Sequence, residues 1–285
     1  MNRYAFRIVN VFTRGGALTG NPLCVFEDAR GLGEAQLQAL ARQFNLSETT
    51  FILPSDRATA RVRIFTPSYE MPFAGHPTLG TAHVVRSLRE TGDEITLEMK
   101  AGVIPVAAQG DRWTLSANSP RWREVGETRA ELAAILGLAE GDIAERPLWV
   151  NAGKEQLVVP VASGEAVRRA RPRADAFSRL KSEDGQSMAY VFHDEGDVRG
   201  AVRSRFFFPS GPAVLEDPAT GSACANLGGW FAALCPGADV TRTVSQGDEV
   251  HRPSTLFLAV RSGAVSVGGD VVELARGTLD LQAAP

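Results

Sequence analysis

FFFPSGPAVLEDPATGSACANLGGWF, residues 206–231, is one half of a pair, and IFTPSYEMPFAGHPTLGTAHVV, residues 64–85, is the other. Each runs from an apolar strand through a proline to an acidic residue, then through a Gly-containing turn into an apolar helix. In each helix the apolar residues leave little polar face: Ala82, Val84 and Val85 in the first, Ala223, Cys224, Ala225, Leu227, Trp230 and Phe231 in the second. A helix that is apolar nearly all round belongs inside a core. The turn before it exposes unpaired backbone N–H groups at the positive end of the helix dipole, a place that attracts an anion. No lysine follows Gly221 at P-loop spacing, which points away from a nucleotide phosphate.

Working outward, the repeat extends over most of the chain. VNAGKEQLVVPV (150–161) answers VNVF and GNPLCVF within residues 9–26. Strands are expected at Tyr4–Phe12, Pro22–Phe26, Thr50–Leu53 and Arg61–Phe65. Leu37, Leu40, Ala41 and Phe44 share one face, so Glu34–Phe44 reads as an amphipathic helix, with Asn45 suited to a left-handed end. A second helix is expected from about Pro77 to Arg89, with strand-rich sequence from Ile95 to Leu115. The second half reads as short helices followed by strands at Met188–Phe192, Val202–Phe208, Ser254–Val260 and Ala264–Leu281. A duplicated unit of about 140 residues follows, in line with usual domain sizes, with a linker near Ser119–Arg123. The predicted domains are 1–119 and 120–285. Two buried helices whose mouths face one interdomain cleft would concentrate N–H donors on a small anionic ligand.

Composition narrows the functional classes. The chain of 285 residues is 44% hydrophobic and 22% charged, the balance of a soluble globular protein. Its net charge of −3, without a basic-aromatic block, speaks against nucleic acid as a partner. The N-terminus, MNRYAFRIVNVF, has no uninterrupted apolar stretch of the signal-peptide kind, and no run approaches membrane-spanning length. Cys24, Cys224 and Cys235 are too scattered for a disulfide framework or a zinc site. A cytoplasmic location is expected.

Four places could carry chemistry. Glu48, in FNLSETTFIL, sits between a helix and a strand with Ser47 beside it: either a solvated or capping acid, or a carboxylate at a cleft edge that moves a proton. His76 stands in the first turn of the first buried helix, as a structural histidine or as a group aimed into the cleft. His83 follows on the same helix without a carboxylate at ligand spacing, which speaks against a metal. Asp217 and Ser222 flank the second turn. Asp217 or Thr220 could cap the helix, or Asp217 could orient a ligand group while Ser222 and its neighbouring N–H groups hold a carboxylate. Arg252, in SQGDEVHRPS, is a binding arginine or a surface residue, and His251 beside it could alter which substrate fits.

Taken together, NLSETTF (45–51), FTPSYEMPFAGHPTLGTA (65–82), EDPATGSA (216–223) and QG followed by RPS (246–254) strongly resemble the PhzF-like family, named for the phenazine-biosynthesis isomerase. The resemblance covers nearly the whole chain, with the motifs in order. It implies an α+β fold of the diaminopimelate-epimerase type: two pseudo-symmetric domains, each a curled, barrel-like mixed sheet around a central apolar helix. It also implies a cofactor-independent isomerase, often a homodimer. The phenazine enzyme isomerises trans-2,3-dihydro-3-hydroxyanthranilate with a glutamate as proton shuttle. By matching motif Glu48 is that glutamate, with His76 and Asp217 as supporting polar residues. Ser222, Gly75 and Gly221 belong to the substrate-binding turns, and Ser47 and Arg252 accompany them. Related epimerases use one cysteine in each turn to work on opposite faces of a stereocentre. Neither turn here holds one, and Cys224 lies beyond its turn, in the helix. One carboxylate can instead lift a proton from one carbon and return it to another on the same face. The expected function is a proton shift in a small carboxylate-bearing substrate. Binding of a small carboxylate or a partner without chemistry is the alternative, and racemisation comes third.

Overall fold

The computed structural model describes residues 2–144, 146–196 and 200–281. It divides into two compact units, residues 1–115 with 268–285, and residues 116–267.

In the first unit the strands are β1 (Asn2–Val11), β2 (Asn21–Phe26), β3 (Glu48–Leu53), β4 (Ala60–Phe65), the short β5 (Glu70–Met71), β6 (Glu94–Met99), β7 (Gly102–Gln109), β8 (Arg112–Ser116) and the far end of β17 (Ala264–Leu281). Pairing runs β1–β2 antiparallel, β2–β3 parallel, β3–β4 antiparallel, β4–β6 parallel, then β6–β7 and β7–β8 antiparallel. β17 pairs with both β8 and β1, which closes an eight-stranded barrel. Two helices serve it: α1 (Glu34–Phe44) and α2 (Gly75–Arg89). α2 runs through the interior against β1, β2, β3, β4 and β6. A Cβ at Gly80 would sit 2.7 Å from Leu23 Cδ2 and 2.9 Å from Val11 Cγ2, so the small residue sets how closely the helix approaches its strands. On the outer face α1 covers Tyr4, Cys24, Phe26, Phe51 and Phe65, with Phe26 and Phe51 stacked at 4.9 Å. Strand alternation therefore turns Phe51 outward and Thr50 inward, where its hydroxyl lies 2.8 Å from that of Thr81 on α2.

The second unit repeats this order with β9 (Arg121–Glu124), β10 (Leu148–Asn151), β11 (Glu155–Pro160), β12 (Ala189–Asp194), β13 (Ala201–Ser210), β14 (Ala213–Asp217), β15 (Val240–Gln246) and β16 (Ser254–Arg261). Its pairings are β10–β11 antiparallel, β11–β12 parallel, β12–β13 antiparallel, β13–β15 parallel and β15–β16 antiparallel, the same series as from β1 to β7. β14 lies on β13 as β5 lies on β4. The central helix is α6 (Gly221–Leu234), packed against β9, β10, β11, β15 and β16. Outside, α3 (Arg129–Leu136), α4 (Gly164–Arg169) and α5 (Ala174–Phe177) cover a cluster built on Leu136, Trp149, Leu157, Val159, Phe177 and Val191. No helix among the described residues is long and apolar enough to cross a membrane.

Three differences from the sequence reading have physical causes. Residues 268–281, expected in the second domain, pair with β1 and so fall with the first unit. The expected linker at Ser119–Arg123 overlaps β9, which is held by non-local pairing with β10. α2 starts at Gly75 rather than Pro77, because a proline anywhere in the first turn sacrifices no intrahelical hydrogen bond.

Candidate active site

The first unit assembles Glu48, Gly75 and His76. Asn45 adopts the left-handed conformation (φ 52°) that ends α1 and turns the chain toward β3. Glu48 opens that strand on the inward face it shares with Thr50, beside the start of α2. There His76 Nδ1 lies 3.0 Å from Glu48 Oε2, with the histidine 5% and the glutamate 17% exposed. The contact is close but lacks hydrogen-bond geometry. Glu48 Oε2 and His76 Nε2 are both buried without a hydrogen-bond partner. Buried polar atoms are nearly always satisfied, so these two atoms retain unused hydrogen-bonding capacity. The N-cap of α2 is Ala74, which offers no side-chain cap. Pro77 has no N–H, so the Gly75 and His76 amides form the open mouth. A Cβ at Gly75 would meet only Leu115 Cδ2, at 4.0 Å, so the glycine keeps the approach clear rather than relieving a clash. Ser47 is exposed, with its hydroxyl directed at Asn21 Oδ1 over 3.4 Å.

The second unit assembles Asp217, Gly221, Ser222 and the loop bearing Arg252. Thr220, the N-cap of α6, makes no side-chain cap hydrogen bond. Instead the Thr220 hydroxyl donates to Asp217 Oδ2. Gln246, 1% exposed, braces the turn: its Nε2 donates to Asp217 O at 2.8 Å and to Thr220 Oγ1 at 3.0 Å. Gly247 (φ 82°) brings the following loop in, since a Cβ there would lie 2.4 Å from Pro218 O and 2.3 Å from Arg252 O. Arg252 is half-buried, and burial pulls its guanidinium below the usual arginine range. His251 is exposed. Ser222 accepts a hydrogen bond from Gln156 Nε2 at 3.0 Å.

An ion pair anchors the strand before each turn. Arg63 grips Glu70 at 2.8 and 2.6 Å, and Arg205 grips Glu216 through Nε at 3.1 Å and Nη2 at 2.6 Å. These pairs also align the repeats. Glu70 pairs with Phe65 and that with Thr49; Glu216 pairs with Phe207 and that with Ala189. One residue earlier, the position of Glu48 in the first unit is held by Met188 in the second. The N-caps correspond as well, Ala74 to Thr220. Cys224 is fully buried, and burial raises its thiol well above the usual range, which disfavours the thiolate a nucleophile requires. The position of Glu48 thus has no carboxylate at the corresponding place in the second unit.

A family model for the phenazine biosynthesis-like proteins (PhzC-PhzF) matches residues 9–277. The chain belongs to this family. An uncharacterized isomerase of Pasteurella multocida is 37% identical, over 97% of this chain and 94% of its own length. The trans-2,3-dihydro-3-hydroxyanthranilate isomerase of Pseudomonas fluorescens is 35% identical, over 93% of this chain and 95% of its own. Among solved structures, the PhzF-family phenazine biosynthesis protein of Bacillus anthracis superposes with a TM-score of 0.88 at 25% identity, covering 99% of this chain and 100% of that one. The family and these relatives make the chain a PhzF-like isomerase of the epimerase-type α+β fold. The polar groups to which sequence reasoning gave no role are Gln156, Asn226, Gln246 and the Arg205–Glu216 pair. All meet their partners across strands or through the core, and although Gln246 and Glu216 lie in quoted motifs, neither motif showed what they contact.

Proposed function

We propose that the chain shifts a proton within a small carboxylate-bearing substrate of the trans-2,3-dihydro-3-hydroxyanthranilate type, using Glu48 as the single acid–base group and no cofactor. The observation that carries this reading is the pair of unpartnered buried atoms, Glu48 Oε2 and His76 Nε2, beside an uncapped helix mouth. The ionised Glu48 takes a proton from a substrate carbon, and the C–H electron pair delocalises into the adjoining unsaturated system. The resulting carboxylic acid then returns the proton to a second carbon on the same face, and the displaced double bond settles in its new position. Atoms and charge balance without an added oxidant or reductant. His76 hydrogen-bonds the substrate group next to the reacting carbon and keeps the carboxylate aligned. Taken by itself, the turn of the second unit, with Gly221, Ser222 and its amides, suits a carboxylate, and Asp217 suits an amino or hydroxyl group. Ser47 and Arg252 border these groups. Homodimeric assembly and a cytoplasmic setting belong to the same proposal, and light scattering tests the first.

Proton NMR of the protein with trans-2,3-dihydro-3-hydroxyanthranilate in D2O tests the reading. Conversion to an isomer of equal composition, with a new C–H or C–D centre, supports it. Saturable binding with no exchange and no conversion would favour a binding protein without chemistry.

A further inference from the structure

Two buried glutamines lie behind the turn of the second unit, and each is locked in one orientation by groups that can hydrogen-bond only one way. Asn226 accepts the Ala152 N–H on Oδ1 at 2.8 Å and donates from Nδ2 to Lys154 O at 2.8 Å. A backbone N–H only donates and a carbonyl only accepts, so the Asn226 amide cannot be flipped. Its Nδ2 also donates to Gln156 Oε1 at 2.8 Å. That fixes Gln156 in turn, with Nε2 toward Ser222 Oγ at 3.0 Å. Ser222 therefore accepts from Gln156, and its own proton is directed elsewhere. The second relay works in the same manner. Gln246 Nε2 donates to Asp217 O and its Oε1 faces the Thr220 N–H at 3.4 Å, which sets the amide. Its Nε2 also donates to Thr220 Oγ1, so the threonine proton goes to Asp217 Oδ2. Asp217 is thereby held as an acceptor. Gln156, Asn226 and Gln246 are all almost fully buried.

We propose that Gln156 and Gln246 are positioning residues for substrate specificity, presenting Ser222 as a hydrogen-bond donor and Asp217 as an acceptor. The inference rests on the assignment of Ser222 and Asp217 to substrate binding and narrows the ligand class. Ser222 selects an acceptor such as a carboxylate oxygen, and Asp217 selects a donor such as an amine or hydroxyl. An amino or hydroxy acid satisfies both, whereas a dicarboxylate would set a like charge against Asp217.

The test is calorimetry of trans-2,3-dihydro-3-hydroxyanthranilate with variants made on the Glu48→Gln protein, which blocks turnover. Gln156→Glu keeps the acceptor toward Asn226 but replaces the donor toward Ser222 by an acceptor, which captures the serine proton. Gln156→Met removes the donor and leaves that proton available. The expected result is a Kd at least about tenfold weaker for Gln156→Glu than for Gln156→Met, the size of a lost hydrogen bond to a charged group. In a Ser222→Ala background the difference should largely vanish. Equal losses for Glu and Met, or a difference that persists without the serine hydroxyl, would overturn the inference. Should Gln156→Glu fail to fold, Gln156→Met must still bind more tightly than Ser222→Ala, and equality overturns it. Failure of the Glu48→Gln parent to bind overturns the underlying assignment and this inference with it. Binding by the parent with no discrimination among the variants overturns the inference alone.

Discussion

Replacing Arg205 by methionine should destabilise the protein far more than any exposed arginine would. Its guanidinium is 7% exposed, as is its partner Glu216. It also donates to three carbonyls at the end of α4, those of Val167, Arg168 and Ala170, at 3.3, 3.0 and 2.6 Å, and lies 4.7 Å from the centre of the Phe207 ring. Methionine preserves most of the alkyl packing but leaves Glu216 buried and unpaired, with its Oε1 already lacking a partner. Breaking one side of a buried ion pair costs about 3–5 kcal/mol. The comparison is Arg3→Met, which removes a solvent-exposed ion pair, 71% and 48% exposed, and should cost far less. Urea unfolding followed by far-UV circular dichroism measures both. A combined Arg205→Met, Glu216→Leu variant should recover about half or more of the loss, because the stranded charge is gone. If Arg205→Met costs no more than Arg3→Met, the buried pair does not anchor the strand leading into Asp217.

Three shorter expectations accompany it. Burial works to raise the Glu70 carboxyl, but hydrogen bonds from Arg63 and Lys100 outweigh it and hold the group below its ordinary 4.5. The folded state thus gives up this proton more readily than the unfolded chain, so the stabilisation is complete above 4.5 and is lost as pH falls through the lower folded value. Glu70→Gln should be less stable than the parent near neutrality and converge with it under acid, as thermal melts across pH would register. Native protein treated with a thiol alkylator should be modified at exposed Cys235, with Cys24 and Cys224 untouched and turnover retained; labelling of Cys224 with loss of activity would revive a cysteine mechanism. Gly247→Ala should weaken substrate binding at least as much as it lowers stability, since its Cβ would strike the carbonyls of Pro218 and Arg252; titration and melting of the same sample separate the two effects.

How much of this was legible in the sequence depends on whether the signal was local. Leu37, Leu40, Ala41 and Phe44 fixed α1 to the residue, and Asn45 marked its left-handed end, because helix periodicity and capping act over a few positions. The duplication was readable because both copies spell the strand, turn and apolar helix in the same order. β9 escaped notice because RWRE has no distinctive alternation and becomes a strand only against β10. The return of β17 to β1 involves pairs 260 or more residues apart, such as Val11 with Val271, which no window contains. At the candidate site, Glu48 and His76 could each be named, but their 3.0 Å approach arises from the register of β3 against the start of α2. The amide relays were invisible for a related reason. Gln156 and Asn226 are ordinary polar residues in apolar stretches, and their meaning comes from burial beside each other.

The most direct test of the central claim is Glu48→Gln, a change that preserves shape and burial while removing the base. The protein should bind trans-2,3-dihydro-3-hydroxyanthranilate with an affinity close to that needed for turnover in the parent, as calorimetry reads it. Proton NMR in D2O should then show neither isomerisation nor exchange of the substrate C–H. Isomerisation or exchange persisting in Glu48→Gln at a rate near the parent's would contradict the account, since another group would then be moving the proton.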